Sequence, residues 1–404
     1  MKTTPAAEKY SPLYFLASVG AGGLTVTFFM YLMFWVPHKD RPVPIFEDIA
    51  AFFPTAGLPA QIAIVVAMAG IAIFTIMNLQ KLFWNISAFN AFKKTEAYTT
   101  LRNSNAETTL LAYPLALAMS VNALFIVGLV FVPGLWNVVE YLFPFALAAF
   151  LAIGAFALWT IGDFLGRVLT KGGVFDVTAH NSFAQMLPTF ALAMVAVGLS
   201  APAAMSSTSF VVSASVMLST FFGTVSFVYG VVVVITAFNS MLHYGTAKEA
   251  APTLMIIIPI MTTLGIMALR QSHGLHMTFE VHSTAGETMV FLSRLLSIQF
   301  MFLFLGLLIL VRQGYFKDFV FGSKTSAGSY ALVCPGVAIS VMLHFFINKG
   351  LVAAGIIQKY DAIYWTESAV AILFQFAMVW LLFRLNAQHF GKVKEAKVDA
   401  VPAE

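Results

Sequence analysis

The stretch RQSHGLHMTFEVH, residues 270–282, gathers the side chains best suited to chemistry: Arg270, His273, His276, Glu280 and His282. Three imidazoles and a carboxylate could hold zinc or make their surroundings sensitive to pH. Their spacing matches no standard zinc pattern, so a metal is not expected. A second candidate is Arg294, which sits deep in an apolar run with Glu287 seven residues before it. An arginine at membrane depth is costly and calls for a partner, so Glu287 or Glu367 is expected to pair with it. An ion pair or subunit contact is the first reading of Arg294 and a substrate clamp the second. Arg270 is placed to draw anions or to snorkel to the interface. His243 and His344 stand singly. No residues are read as catalytic, no cofactor is expected, and neither is an enzymatic activity.

These residues are positioned by elements that composition identifies at once. Hydrophobic residues make up 60% of the 404, charged residues only 10%, and the mean hydropathy is +0.87. Those values exclude a soluble globular domain and predict an all-α integral membrane protein. About 20 helical residues cross a hydrocarbon core. Ten sufficiently long apolar segments occur near 12–36, 57–80, 109–133, 138–162, 182–204, 208–240, 251–270, 285–311, 329–347 and 363–385. They are apolar on every side, unlike the short alternating strands of a membrane barrel. The first segment is too long for a secretory leader and is expected to remain. The reading gives a tail over 1–11, a ten-helix domain over 12–386 and a second tail over 387–404. The only cysteine, Cys334, excludes an intrachain disulfide and a multi-cysteine metal site.

Lys and Arg sort strongly between the two sets of connections. One side collects sixteen, including Lys2, Lys9, Lys81, Arg102, Arg167, Lys248 and Lys324. The other has five: Lys39, Arg41, Arg270, Lys349 and Lys359. Positive loops stay in the cytoplasm, so both termini are expected there, in a cytoplasmic (inner or plasma) membrane.

Five odd-numbered segments open on a proline: Pro12, Pro114, Pro188, Pro252 and Pro335, at spacings of 102, 74, 64 and 83 residues. A first-turn proline costs no hydrogen bond, because its missing N–H would be unpaired anyway. Five corresponding cases predict a two-helix unit repeated five times. Pro259 could replace Pro252 and even the spacing. Parallel odd helices in a ring would leave an axial path, with even helices facing lipid. Small and hydroxyl-bearing residues concentrate on the odd segments, and Ser18, Gly20, Ser120, Asn122, Thr262, Thr263, Ser340 and His344 are the candidates to line that path. Small residues serve close helix packing equally well.

Ten helices, tandem hairpins with proline-headed odd members and a passage almost free of charge resemble the tellurite-resistance/dicarboxylate transporter family, which includes the plant slow-type anion channels. The resemblance covers about residues 12–386. It implies a quasi-fivefold pore through the inner helices, passage of anions, aromatic rings constricting the pore, and a homotrimer. The family's gating phenylalanine lies close to the ninth-helix proline. Here Pro335 follows SYALVC, which leaves Tyr330, Phe345 and Phe346 as gate candidates. The expected function is an anion channel or channel-like transporter, whose partners are small anions and the lipid bilayer rather than nucleic acid. A proton-coupled carrier for a dicarboxylate, sulfite or tellurite-type oxyanion is the alternative. A membrane-embedded metal-dependent enzyme built on the histidine cluster is a third reading.

Overall fold

The computed structural model describes residues 7–39, 41–172, 175–179 and 181–390. Lys2, Lys392, Lys394 and Lys397, and most of both expected tails, lie outside the described residues. Among those described there is no strand, and ten helices are long and apolar enough to cross a membrane. In chain order these spans are Pro12–Trp35, Leu58–Phe92, Asn105–Phe131, Leu135–Lys171, Phe183–Met205, Ser209–Tyr244, Lys248–Phe279, Ala285–Arg312, Ala327–Val352 and Ala362–Phe390. This is a multi-helix membrane protein.

Burial alternates along the chain. The most apolar windows of spans 1, 3, 5, 7 and 9 are 56–100% buried, and those of the even spans only 28–39%. Side chains such as Phe83, Phe145, Trp159, Met217 and Leu373 stand out from the even spans at 65–73% exposure. Lipid tails solvate such groups as well as another helix would, so they carry no penalty there. Span 1 packs on span 3, 3 on 5, 5 on 7, 7 on 9, and 9 returns to 1. Close approach needs small residues at these seams. A Cβ on Gly20 would lie 2.9 Å from Val333 Cγ1, and one on Gly23 would lie 2.8 Å from Val337 Cγ1.

The odd spans share a way of starting. Each begins in 3-10 geometry, over Pro12–Tyr14, Asn105–Leu111, Phe183–Met186, Lys248–Met255 and Ala327–Leu332, before the α-helix takes over. Serine precedes four of these turns. Ser11, Ser182 and Ser326 accept backbone N–H bonds from Leu13, Ala184 and Gly328, at 3.3, 3.3 and 3.2 Å. A serine oxygen satisfies a donor that the first turn leaves unpaired. The five turns also touch one another in succession and close on themselves. Pro114 and Pro335 take the third position of the α-helical part and Pro188 the second, whereas Pro252 lies inside a 3-10 turn. The third position of that fourth α-helix is held by Pro259. Pro114, Pro188, Pro259 and Pro335 then follow at 74, 71 and 76 residues.

Tyr14 Oη lies 3.1 Å from His389 Nδ1, so both described ends of the chain meet at one end of the bundle, the terminal end. The opposite end is called distal here. At the terminal end Glu107, 3% exposed, receives Arg102 Nε at 3.1 Å and the Arg167 guanidinium, and Arg102 and Arg167 also reach Asp163. This network ties the opening of span 3 to the close of span 4. Glu107→Gln leaves two guanidinium groups without their shared carboxylate. The expected loss is about 3 kcal/mol, the low end for a broken buried pair because both arginines are partly solvated. Thermal unfolding in detergent should register it as a lower midpoint, and an unchanged midpoint would count against the network.

Candidate functional site: a cavity with a basic rim

A cavity of about 490 Å³ lies between the odd spans and reaches the distal end. All five odd spans line it, and even spans contribute where gaps remain, Phe143 and Phe150 from span 4 and Thr288 from span 8. Its floor is set by Gly20, Met119, Phe190, Pro259 and Cys334. One turn nearer the terminal end, Leu16, Leu115 and Leu187 are at most 2% exposed and close the way with apolar packing.

The middle of the wall looks more polar in sequence than it is in space. Thr262 Oγ1 donates to the Ala338 carbonyl at 3.1 Å and accepts from Gln299 Nε2 at 2.6 Å. Thr263 Oγ1 donates back into its own helix, 2.9 Å from the Ile260 carbonyl and 3.1 Å from that of Pro259. Asn122 Nδ2 donates to the Ala118 carbonyl at 3.1 Å and faces Met194 Sδ at 3.6 Å. These donors are spent on carbonyls and sulfur, so the wall offers an anion little to replace its hydration.

Charge is confined to the distal rim, and it is of one sign. Arg270, Lys349, His273 and His276 line the cavity, and among the described residues no aspartate or glutamate does. Arg270 Nη1 donates to the Val197 carbonyl at 2.8 Å, which holds the guanidinium across the gap between spans 7 and 5. Among the described residues neither Arg270 nor Lys349 has a carboxylate within ion-pair distance. Lys349 is aimed by an irregularity. Val337, Val341, Phe345, Lys349 and Ala353 all face the cavity at four-residue steps. In an α-helix each such step drifts by about 40°. Residues Phe346–Val352 form a π-helical turn, whose wider winding counters the drift and keeps Lys349 over Phe345. Such turns recur at functional sites.

Of the residues expected along a passage, Gly20, Asn122, Thr262 and Thr263 face the cavity. Ser18 turns away to span 2, donating to the Asn78 carbonyl at 3.0 Å, and Ser120 bonds back to the Ala116 carbonyl at 2.8 Å. Ser340 is buried outside the cavity lining. His344 lies behind the wall among Tyr31, Phe34 and Trp35, with ring centroids 6.0–6.4 Å away. Phe345 lines the cavity near the rim, edge-on to Phe34. Phe346 packs beside Gly350 instead. Tyr330 belongs to the terminal end, where its hydroxyl donates to Asn386 Oδ1 at 3.0 Å.

Arg294 is exposed on the outer face of span 8 and makes no ion pair among the described residues. Glu287 is committed elsewhere: it caps its own helix reciprocally with Thr284, whose N–H donates to the carboxylate at 2.8 Å. His276 and His282 face each other with Nδ1 atoms 3.1 Å apart. Among the described residues no three His, Cys, Asp or Glu side chains are placed to share a metal ion. Lys349, Phe190 and Cys334 were not singled out as site residues by spacing. The available signals were the four-residue step from Phe345 to Lys349 and the positions of Phe190 and Cys334 beside Pro188 and Pro335.

No family model matches the chain, and no curated protein matches its sequence.

Proposed function

We propose that the chain is a conduit for anions, built from five tandem two-helix units with the odd-numbered helices in a quasi-fivefold ring around the cavity. The observation that carries this reading is the rim: among the described residues, every ionisable side chain that lines the cavity at its mouth is basic. Basic groups at the mouth of a low-dielectric cleft concentrate anions and repel cations. The alternation of burial, the closed circuit of contacts between odd spans and their common serine-headed 3-10 openings support the repeated unit. The excess of Lys and Arg at the terminal end supports a cytoplasmic position for that end, with the cavity opening outward and its floor as the closed side. The architecture resembles the tellurite-resistance/dicarboxylate transporter family, and by the same resemblance the protein is a homotrimer.

The experiment is anion flux from proteoliposomes, with chloride, nitrate, sulfite and malate compared at set potentials, with and without a pH gradient. Flux that follows the electrical gradient and ignores pH is expected. Saturable uptake driven by the pH gradient would establish the proton-coupled carrier instead, and no flux of any anion would sink the reading.

Cys334 supplies a second check that needs no substitution, because the only cysteine in the chain stands at the cavity floor. A negatively charged methanethiosulfonate added from the distal side should block flux faster than its positively charged analogue, by about tenfold relative to their rates on a free thiol in solution. Equal relative rates, or faster block by the cation, would contradict a basic mouth.

A further inference from the structure

We propose that the cavity binds an organic anion with an apolar body, a carboxylate or sulfonate bearing an aliphatic or aromatic tail, with the head at the distal rim and the tail toward the floor. The inference rests on the reading of the mouth as anion-attracting, and it names the class of anion that the whole site fits.

Polarity is segregated along the cavity. The cations stand at one end, and below them the wall is made of side chains such as Val26, Met30, Met194 and Ile266. Thr262, Thr263 and Asn122 interrupt this wall, yet their donors are already bonded, so a bare inorganic ion sinking past the rim exchanges water for methyl and thioether groups. That exchange is unfavourable for a compact charge and favourable for a hydrocarbon tail. Methionine adds to the fit, since its unbranched thioether adapts to ligands of different shape.

Size points the same way. A volume of about 490 Å³ falls in the range of pockets that enclose small organic molecules, mostly apolar with a few placed polar groups. Pro259 at the floor and Arg270 at the rim are separated by roughly 16 Å along span 7, at 1.5 Å per residue. A charged head held by Arg270 and Lys349 therefore leaves a tail of many carbons room to reach Phe190 and Cys334.

The test is a binding series on the purified protein in lipid nanodiscs, with straight-chain carboxylates from acetate to decanoate and the matching alcohols, and with empty nanodiscs subtracted. Affinity for carboxylates is expected to rise by about fourfold per methylene until the tail meets the floor. Alcohols of equal length should bind at least tenfold more weakly. In Val26→Trp, which fills part of the cavity, the rise should stop at a shorter chain than in the unaltered protein. Affinity independent of chain length, or alcohols equal to carboxylates, would overturn the proposal on the unaltered protein alone. The two readings separate in the flux assay. Chain-dependent binding without chloride flux removes the conduit and keeps the ligand site, whereas flux with a flat series does the reverse.

Discussion

Alanine at Phe190 is expected to raise anion flux by about tenfold or more, equivalent to a barrier lowered by at least ~1.4 kcal/mol. Phe190 is the fourth residue of the α-helical part of span 5, 3% exposed, and it borders the cavity at its floor. The other rings that meet the cavity from odd spans, Phe29, Phe125 and Phe345, stand more than ten residues into their helices and so lie toward the mouth. Beneath Phe190 the buried Leu16, Leu115 and Leu187 complete an apolar plug. A constriction of this kind resists ions by excluding water, so widening it admits water first and ions after. Removing a ring packed all round costs about 3–5 kcal/mol. Phe190 borders space on one side, and Phe190→Leu, which keeps an apolar plug, serves as a stable comparator with intermediate flux. Phe345→Ala, near the rim, should change flux by no more than about twofold, because no constriction depends on it. Proteoliposome flux normalised to folded protein measures all three. A Phe190→Ala protein no faster than the unaltered one would place the barrier elsewhere.

Helix existence was readable from composition, and helix ends were not. Hydropathy ends the second segment at 80 but its helix runs to Phe92, and it ends the fourth at 162 but that helix runs to Lys171. Hydropathy falls where Lys81 and Asp163 enter, while each helix continues, since the charges find partners in the protein: Lys81 Nζ lies over the Phe390 ring, and Asp163 and Arg167 join the network with Arg102 and Glu107. The proline openings were legible because a local rule governs them. Spacing alone raised Pro259 as an alternative to Pro252, and the start of the α-helix at Ile257 gives it the corresponding place. Facing was the hidden quantity. The odd helices are apolar all round, so no polar stripe tells which residues turn inward. Hence Ser18, Ser120, Ser340 and His344 could be assigned to a path by residue type although they are buried outside the cavity lining. Arg270 and Lys349 are 79 residues apart and meet at one rim only through the fold. Arg294 stands deep in an apolar segment of the sequence, yet on an even span it is exposed on the outer face.

Removing the rim charges should have the opposite effect to opening the floor. In Arg270→Gln combined with Lys349→Gln, anion flux is expected to fall by about 10- to 100-fold at low ionic strength, the range over which a charged cleft concentrates its ions. Both side chains lack a carboxylate partner among the described residues, so neither loses an ion pair that would complicate the result. Salt dependence identifies the cause. The screening length shrinks from about 30 Å at 0.01 M to about 3 Å at 1 M, so the unaltered protein and the double variant should converge as salt rises. A packing defect would persist at every salt concentration. Arg270→Lys separates charge from position, because an ammonium keeps the field but not the planar fork that donates to the Val197 carbonyl. It should retain most of the flux at low salt if the field is what matters. Loss as deep as in Arg270→Gln would mean that the tether between spans 5 and 7, rather than the charge, shapes the mouth. A double variant equal to the unaltered protein at every salt concentration would remove the basic rim from the mechanism, and with it the main argument for anions over cations.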